Sequence, residues 1–133
     1  MKGKLSETPE EARNKAIVLE FYEKAINQKD FAAAEPYFGD SYTQHNPTAE
    51  DGLEGFKNFL QFVRGNWPDL HTTVKAAWAD GDYVILHVHA QREPGARGKA
   101  VVDIFRLAEG KIVEHWDVIQ DIPETTRNGN SMF

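Results

Sequence analysis

Val101-Val102-Asp103-Ile104-Phe105-Arg106-Leu107, then Ala108-Glu109-Gly110, then Lys111-Ile112-Val113-Glu114-His115-Trp116-Asp117-Val118 is the stretch that decides the fold. Two β-branched runs joined by a short turn ending in glycine spell a β-hairpin. The first run carries an aspartate among apolar neighbours, where a carboxylate needs a partner or a raised proton affinity. A three-residue turn over 108–110, with Gly110 as a bulge, predicts Leu107 opposite Lys111, Phe105 opposite Val113 and Asp103 opposite His115. On that register Asp103, Phe105, Val113, His115 and Asp117 share one face, and Ile104, Glu114, Trp116 and Val118 the other.

Moving outward, period-2 patterning predicts four strands: Leu70 to Ala79, Tyr83 to Arg92, Lys99 to Leu107 and Lys111 to Asp121. Asp80-Gly81 reads as a tight hairpin and the segment 93–98 as a looser one. In the second strand Ile85, His87, His89 and Gln91 alternate with Val84, Leu86, Val88 and Ala90. The expectation is that His87 or His89 flanks Asp103 from one neighbouring strand and His115 from the other. A second subunit would then cover the Val84, Leu86, Val88 and Trp116 face.

Before residue 67 the period is helical. Thr8-Pro9-Glu10-Glu11 is a capping-box start for a helix to about Gln28. Asp30 caps a short second helix that Gly39-Asp40 breaks, residues 42–47 read as extended, and a third helix covers about Leu53 to Gly65. Helices first and an antiparallel meander afterwards is α+β. The expected layout is N-terminal helices packed on a strongly curved antiparallel sheet. One domain over 1–133 is expected, with terminal tails at 1–8 and 123–133.

The chain has 133 residues, 41% of them hydrophobic, a formal charge of -6 and no cysteine. This composition supports one core and supplies no concentrated positive field for nucleic acid or an anionic membrane. It also excludes disulfides, thiolate nucleophiles and cysteine-based metal sites. No run approaches a membrane span and the first residues lack a secretory apolar stretch, so the default expectation is a soluble, cytoplasmic protein.

Several features together resemble a known group: Tyr22-x-x-x-Ile26-Asn27-x-x-Asp30, Gln44-His45-Asn46-Pro47, and Asp103-x-Phe105-Arg106 followed by Gly110-Lys111-Ile112. In this order they look like the cystatin-like, nuclear transport factor 2-like cone fold, most closely its SnoaL-like polyketide cyclase branch. The resemblance implies a curved sheet around an apolar internal pocket, commonly in a homodimer built on the outer sheet face. Ketosteroid isomerases of the same superfamily have a donor tyrosine at the position of Tyr22, a protonated aspartate at Asp103 and a proton-abstracting aspartate where this chain has Asn46. An amide cannot take a proton from carbon, which argues against that mechanism here. In SnoaL-like cyclases the acid/base residue instead matches Asp103.

The implied activity is cofactor-free acid/base chemistry next to a carbonyl of an apolar small molecule, by proton abstraction and possible aldol-type cyclisation or isomerisation. Asp103 is the expected base and His115 its orienting partner, with His87, His89 and His45 as candidate donors to the enolate oxygen. Tyr22 is a further pocket donor, Asn46 a positioning residue, and Phe105 and Asp117 complete the expected substrate-binding wall. Taken singly, each of these residues also admits a purely structural role. Two alternatives stay open: a non-catalytic small-ligand-binding domain, and a metal site built from His87-x-His89 with His115 and Asp103.

Overall fold

The computed structural model describes residues 6–133; the first five residues of the N-terminal tail lie outside the described residues. Helix α1 spans Pro9–Tyr22 and runs on into a π-turn at Glu23–Asn27. Helix α2 is the four-residue Phe31–Ala34, and α3 spans Gly52–Asn66. The strands are β1 Phe38–Gln44, β2 His71–Asp80, β3 Tyr83–Gln91, β4 Lys99–Ala108 and β5 Lys111–Asp121.

Local chemistry explains where the elements begin. Thr8 Oγ1 accepts from the Glu11 amide at 3.1 Å and Glu11 Oε1 accepts from the Thr8 amide at 2.9 Å, closing the capping box. The other Glu11 oxygen accepts from the Gly81 amide at 2.8 Å, so one buried carboxylate ties the start of α1 to the β2–β3 turn. Asp30 caps α2 through the Ala33 amide at 3.1 Å.

The sheet is open, with order β1-β5-β4-β3-β2. It is mixed rather than purely antiparallel, because β1 pairs in parallel with β5. The expected short extended segment at 42–47 in fact begins at Phe38, and Gly39 permits that pairing. A Cβ at Gly39 would lie 2.9 Å from Val113 Cγ1.

The hairpin register also differs from expectation. The turn is the two-residue Glu109-Gly110, with φ of 51° and 74°, so Ala108 pairs with Lys111 and Leu107 with Ile112. A bulge follows, after which Arg106 faces Glu114, Phe105 faces His115 and Asp103 faces Asp117. Val113 is the extra residue and Ile112 takes the buried position beside Leu107. The bulge restores parity, which keeps Asp103, Phe105, His115 and Asp117 on one face.

On β3 the expected facing is reversed. Leu86 pairs with Asp103 and lies with Val84 and Val88 in the core, whereas His87 pairs with Val102 on the opposite face. Trp116 pairs with Ile104 on that same outer face, so Val84, Leu86 and Val88 do not share a surface with it. The inner face packs under the helices through Val18, Phe21, Ala25 and Leu60. Phe21 meets Phe38 and Phe105 edge-to-face, with centroids 5.2 and 5.9 Å apart, and Phe56 packs tilted against Phe21 and Phe38. The C-terminal segment returns across the outer face, where the Phe133 ring lies 5.0 Å from His87 and 5.1 Å from His89.

No helix among the described residues is long and apolar enough to cross a membrane.

Candidate active site

A cavity of about 690 Å³ lies between the helices and the inner sheet face, within the size range of small-molecule sites. Phe21, Ile26, Phe56, Phe59, Val101 and Phe105 supply its apolar wall, and Tyr22, Gln44, Asn46, Asp103, His115 and Asp117 converge on it.

Asp103, 4% exposed, is held from two sides. Tyr22, the last residue of α1, donates its phenol to Asp103 Oδ2 at 2.6 Å, and His115 Nε2 lies 2.8 Å from Oδ1. His115 Nδ1 lies 2.8 Å from Gln44 Oε1. The same Gln44 oxygen accepts from the backbone amides of His45 and Asn46, each at 3.0 Å. Two amide donors can only be met by the carbonyl end of the side chain, so the orientation of Gln44 is fixed by the network. His115 Nδ1 must therefore carry a proton toward Gln44. Nε2 then faces Asp103 with one proton shared between them, on the acid or on the ring.

Tyr42, 3.1 Å from Gln44 Nε2, closes this chain of contacts. Burial, and then the charge of Asp103, pushes the Tyr22 phenol well above its ordinary pKa, so it stays a donor.

Asp117 stands beside this group. Asn46 Nδ2 donates to its two oxygens at 2.7 and 2.9 Å, and Asn46 Oδ1 is itself anchored by the Thr48 amide at 2.8 Å and hydroxyl at 2.7 Å. Burial raises the Asp117 pKa from its ordinary value, with the Asn46 hydrogen bond and the charge of His115 pulling the other way.

Of the residues expected at a site, the structure brings together Tyr22, Asn46, Phe105, Asp103, His115 and Asp117. It does not bring His45, His87 or His89. His87 and His89 sit on the outer face under Phe133. His45 stacks on Trp116 at 4.8 Å and binds Glu114 Oε2 at 2.7 Å, away from the cavity lining. The His87/His89 metal set is thereby corrected, since those rings are on the far side of the sheet from Asp103. The residues that could hold a metal are Asp103, His115 and Asp117, whose ligand atoms lie within 4.8 Å of one another.

Gln44 went unassigned in the sequence, although alternation along 42–46 carries the signal. Tyr42, Gln44 and Asn46 point one way and His45 the other. Trp67 and Arg92, also on the cavity lining, were missed as well.

Helices over one face of an open mixed sheet, with a cavity between them lined by a buried Tyr-Asp-His group, define a small-molecule α+β fold of the cone type. The SnoaL-like domain description matches residues 18–115, and the chain belongs to that family. A proposed polyketide cyclase from Bacillus cereus ATCC 10987 superposes with a TM-score of 0.73 at 21% identity, covering 90% of this chain and 83% of that one. A proposed SnoaL-like polyketide cyclase from Jannaschia sp. CCS1 gives 0.71 at 18% identity, covering 87% and 91%. AclR, a proposed hydroxylase from Streptomyces galilaeus, gives 0.68 at 22% identity, covering 89% and 91%. At these identities the likeness shows the fold. No curated protein matches the chain by sequence.

Proposed function

We propose that this protein is an acid/base enzyme acting next to a carbonyl of an apolar small molecule. The observation that carries the reading is the fixed Nδ1–H of His115, which commits Nε2 and Asp103 to sharing a single proton at the cavity wall. Asp103, as the carboxylate, takes the proton from the carbon beside the substrate carbonyl. The C–H bond breaks, its electron pair moves onto the carbonyl oxygen as an enolate, and the proton resides on Asp103. His115 orients Asp103 and holds the shared proton. Asp117, whose proton affinity burial raises, donates a hydrogen bond to the developing oxyanion when it carries a proton, and Tyr22 keeps Asp103 in place. Reprotonation at another carbon gives isomerisation, and attack of the enolate on a second carbonyl gives aldol-type ring closure.

The test is hydrogen–deuterium exchange beside the carbonyl of 2-tetralone, followed by NMR. Asp103→Asn, which keeps the shape of the side chain, should lower exchange about 10²- to 10⁴-fold. Exchange retained in that variant overturns the role of Asp103.

A non-catalytic ligand-binding domain is the second reading, and one observation favours it: both Asp103 oxygens are already engaged, by Tyr22 and His115. Tight binding of 2-tetralone without exchange in the wild type would select it.

The outer face supports the proposal of a homodimer. Val118 is 68% exposed and Tyr83 42%, on a surface continued by Val102 and the half-buried Ile104 and Trp116. Sedimentation equilibrium giving a monomer at micromolar concentration would refute it.

A further inference from the structure

The far end of the cavity carries a feature that acid/base chemistry does not use. Arg92, just beyond β3, lays its guanidinium over the Trp67 ring at 3.7 Å from the centroid, and Phe62 packs edge-on against Trp67 at 5.0 Å. Two cations, Arg92 and Lys99, line the cavity. Lys99 is ion-paired with Asp121. Arg92 makes no hydrogen bond among the described residues; the Asp121 carboxyl feels its charge but does not bond to it. Stacking on an indole fixes the guanidinium plane and leaves its in-plane N–H groups free, which is the arrangement that receives a carboxylate in a forked pair.

Position along the sheet separates this feature from the Asp103 group. On β4, Lys99 and Asp103 share the inner face four residues apart, a separation of ~13 Å at about 3.3 Å per residue. Arg92 lies at the Lys99 end, beyond the Ala90–Lys99 pair. The Asp103 end carries the carboxyl groups of Asp103 and Asp117 and neither of the two lining cations. Between the two ends the sheet presents the Val101–Ile119 pair to the cavity.

We infer that the ligand of this cavity is an elongated, apolar carbonyl compound bearing a carboxylate, which the Arg92–Trp67 stack holds at the mouth while the carbonyl end reaches Asp103. The inference rests on the reading of the cavity as a small-molecule site and deepens it by naming the substrate class. Arg92 is a specificity-determining residue, and the stack sets which end of the ligand enters first. An ester or amide of the same skeleton lacks the charge that orients it.

Binding of anthraquinone-2-carboxylate and its carboxamide, measured by calorimetry, tests the inference without turnover. The carboxylate should bind about tenfold or more tightly than the amide, a preference that shrinks with added salt. Arg92→Gln should abolish the preference while leaving amide binding unchanged, and Arg92→Lys should restore only part of it. Equal affinity of the two probes, no detectable binding of either, or equal weakening of both by Arg92→Gln would each overturn the inference. Asp103→Asn should leave the preference for the carboxylate over the amide unchanged. Loss of exchange activity in that variant therefore reports on the acid/base reading, and probe preference on this one.

Discussion

The inner and outer faces of β3, β4 and β5 are built from alternating residues of the same strands, and both carry histidines. On the inner face every titratable group is wired to another: Tyr22 to Asp103, Asp103 to His115, His115 to Gln44, Asn46 to Asp117. On the outer side the histidines meet aromatic rings, and their polar partners are exposed, Glu114 for His45 and the Arg97 carbonyl for His89, each at 2.7 Å. His87 and His89 lie under Phe133, and His45 is stacked parallel to Trp116 with 2° between the planes. The contrast teaches that residue type alone does not mark a proton-handling site. What marks it is exclusion from water together with partners that fix where each proton sits.

The sharpest way to break the comparison is to disable one histidine or carboxylate on each face. Asp103→Asn should cost exchange activity about 10²- to 10⁴-fold, whereas His87→Ala should leave it within about twofold and stability within ~0.5 kcal/mol. Equal effects on the two faces would remove the distinction. A smaller effect is expected at the edge of the inner network. Gln44→Leu takes away the acceptor that holds His115 Nδ1–H, and should lower activity on the order of 10²-fold through misorientation of the ring. It also leaves the Asn46 amide without its acceptor, while the His45 amide keeps the His115 carbonyl at 3.0 Å, for a stability loss of ~1–3 kcal/mol by chemical denaturation. Unchanged activity would show that the tautomer of His115 is set by something other than Gln44.

The smallest expected effect concerns pH. The Asp117 carboxyl is raised by burial, so the folded chain keeps a proton that the unfolded chain releases. Its contribution is complete below the ordinary carboxylate range and fades as pH rises through the folded value. Lowering the pH from neutral toward about 4 should shift the melting-temperature difference between wild type and Asp117→Asn in favour of the wild type. A difference independent of pH would contradict a raised Asp117.

Much of this was legible in the sequence because periodicity and capping are local. The capping box at Thr8, the cap at Asp30, the third helix and the four meander strands follow from spacing alone. Asp103, His115 and Asp117 fell on one face for a compensating reason: the expected three-residue turn and the observed two-residue turn plus bulge differ by one residue twice, and parity is restored. On β3 nothing local told which alternate set faced inward, because Ile85 and Val84 are equally apolar and only tertiary packing under α1 decides between them. The parallel pairing of β1 with β5 was equally hidden, since it joins residues some seventy positions apart through a close approach that only Gly39 allows. Gln44 stayed unread because an amide on a strand edge gains its meaning from the ring that comes to meet it.

Glu11 has a consequence for how the molecule breathes. One carboxylate receives the amide of Thr8, the N-cap of α1, and the amide of Gly81 at the β2–β3 turn. Fraying of the helix start takes the acceptor from the Gly81 amide, and opening of the turn takes one donor from Glu11. The two events are therefore coupled, and the N-terminal turn of the helix shares its local opening with a hairpin seventy residues away.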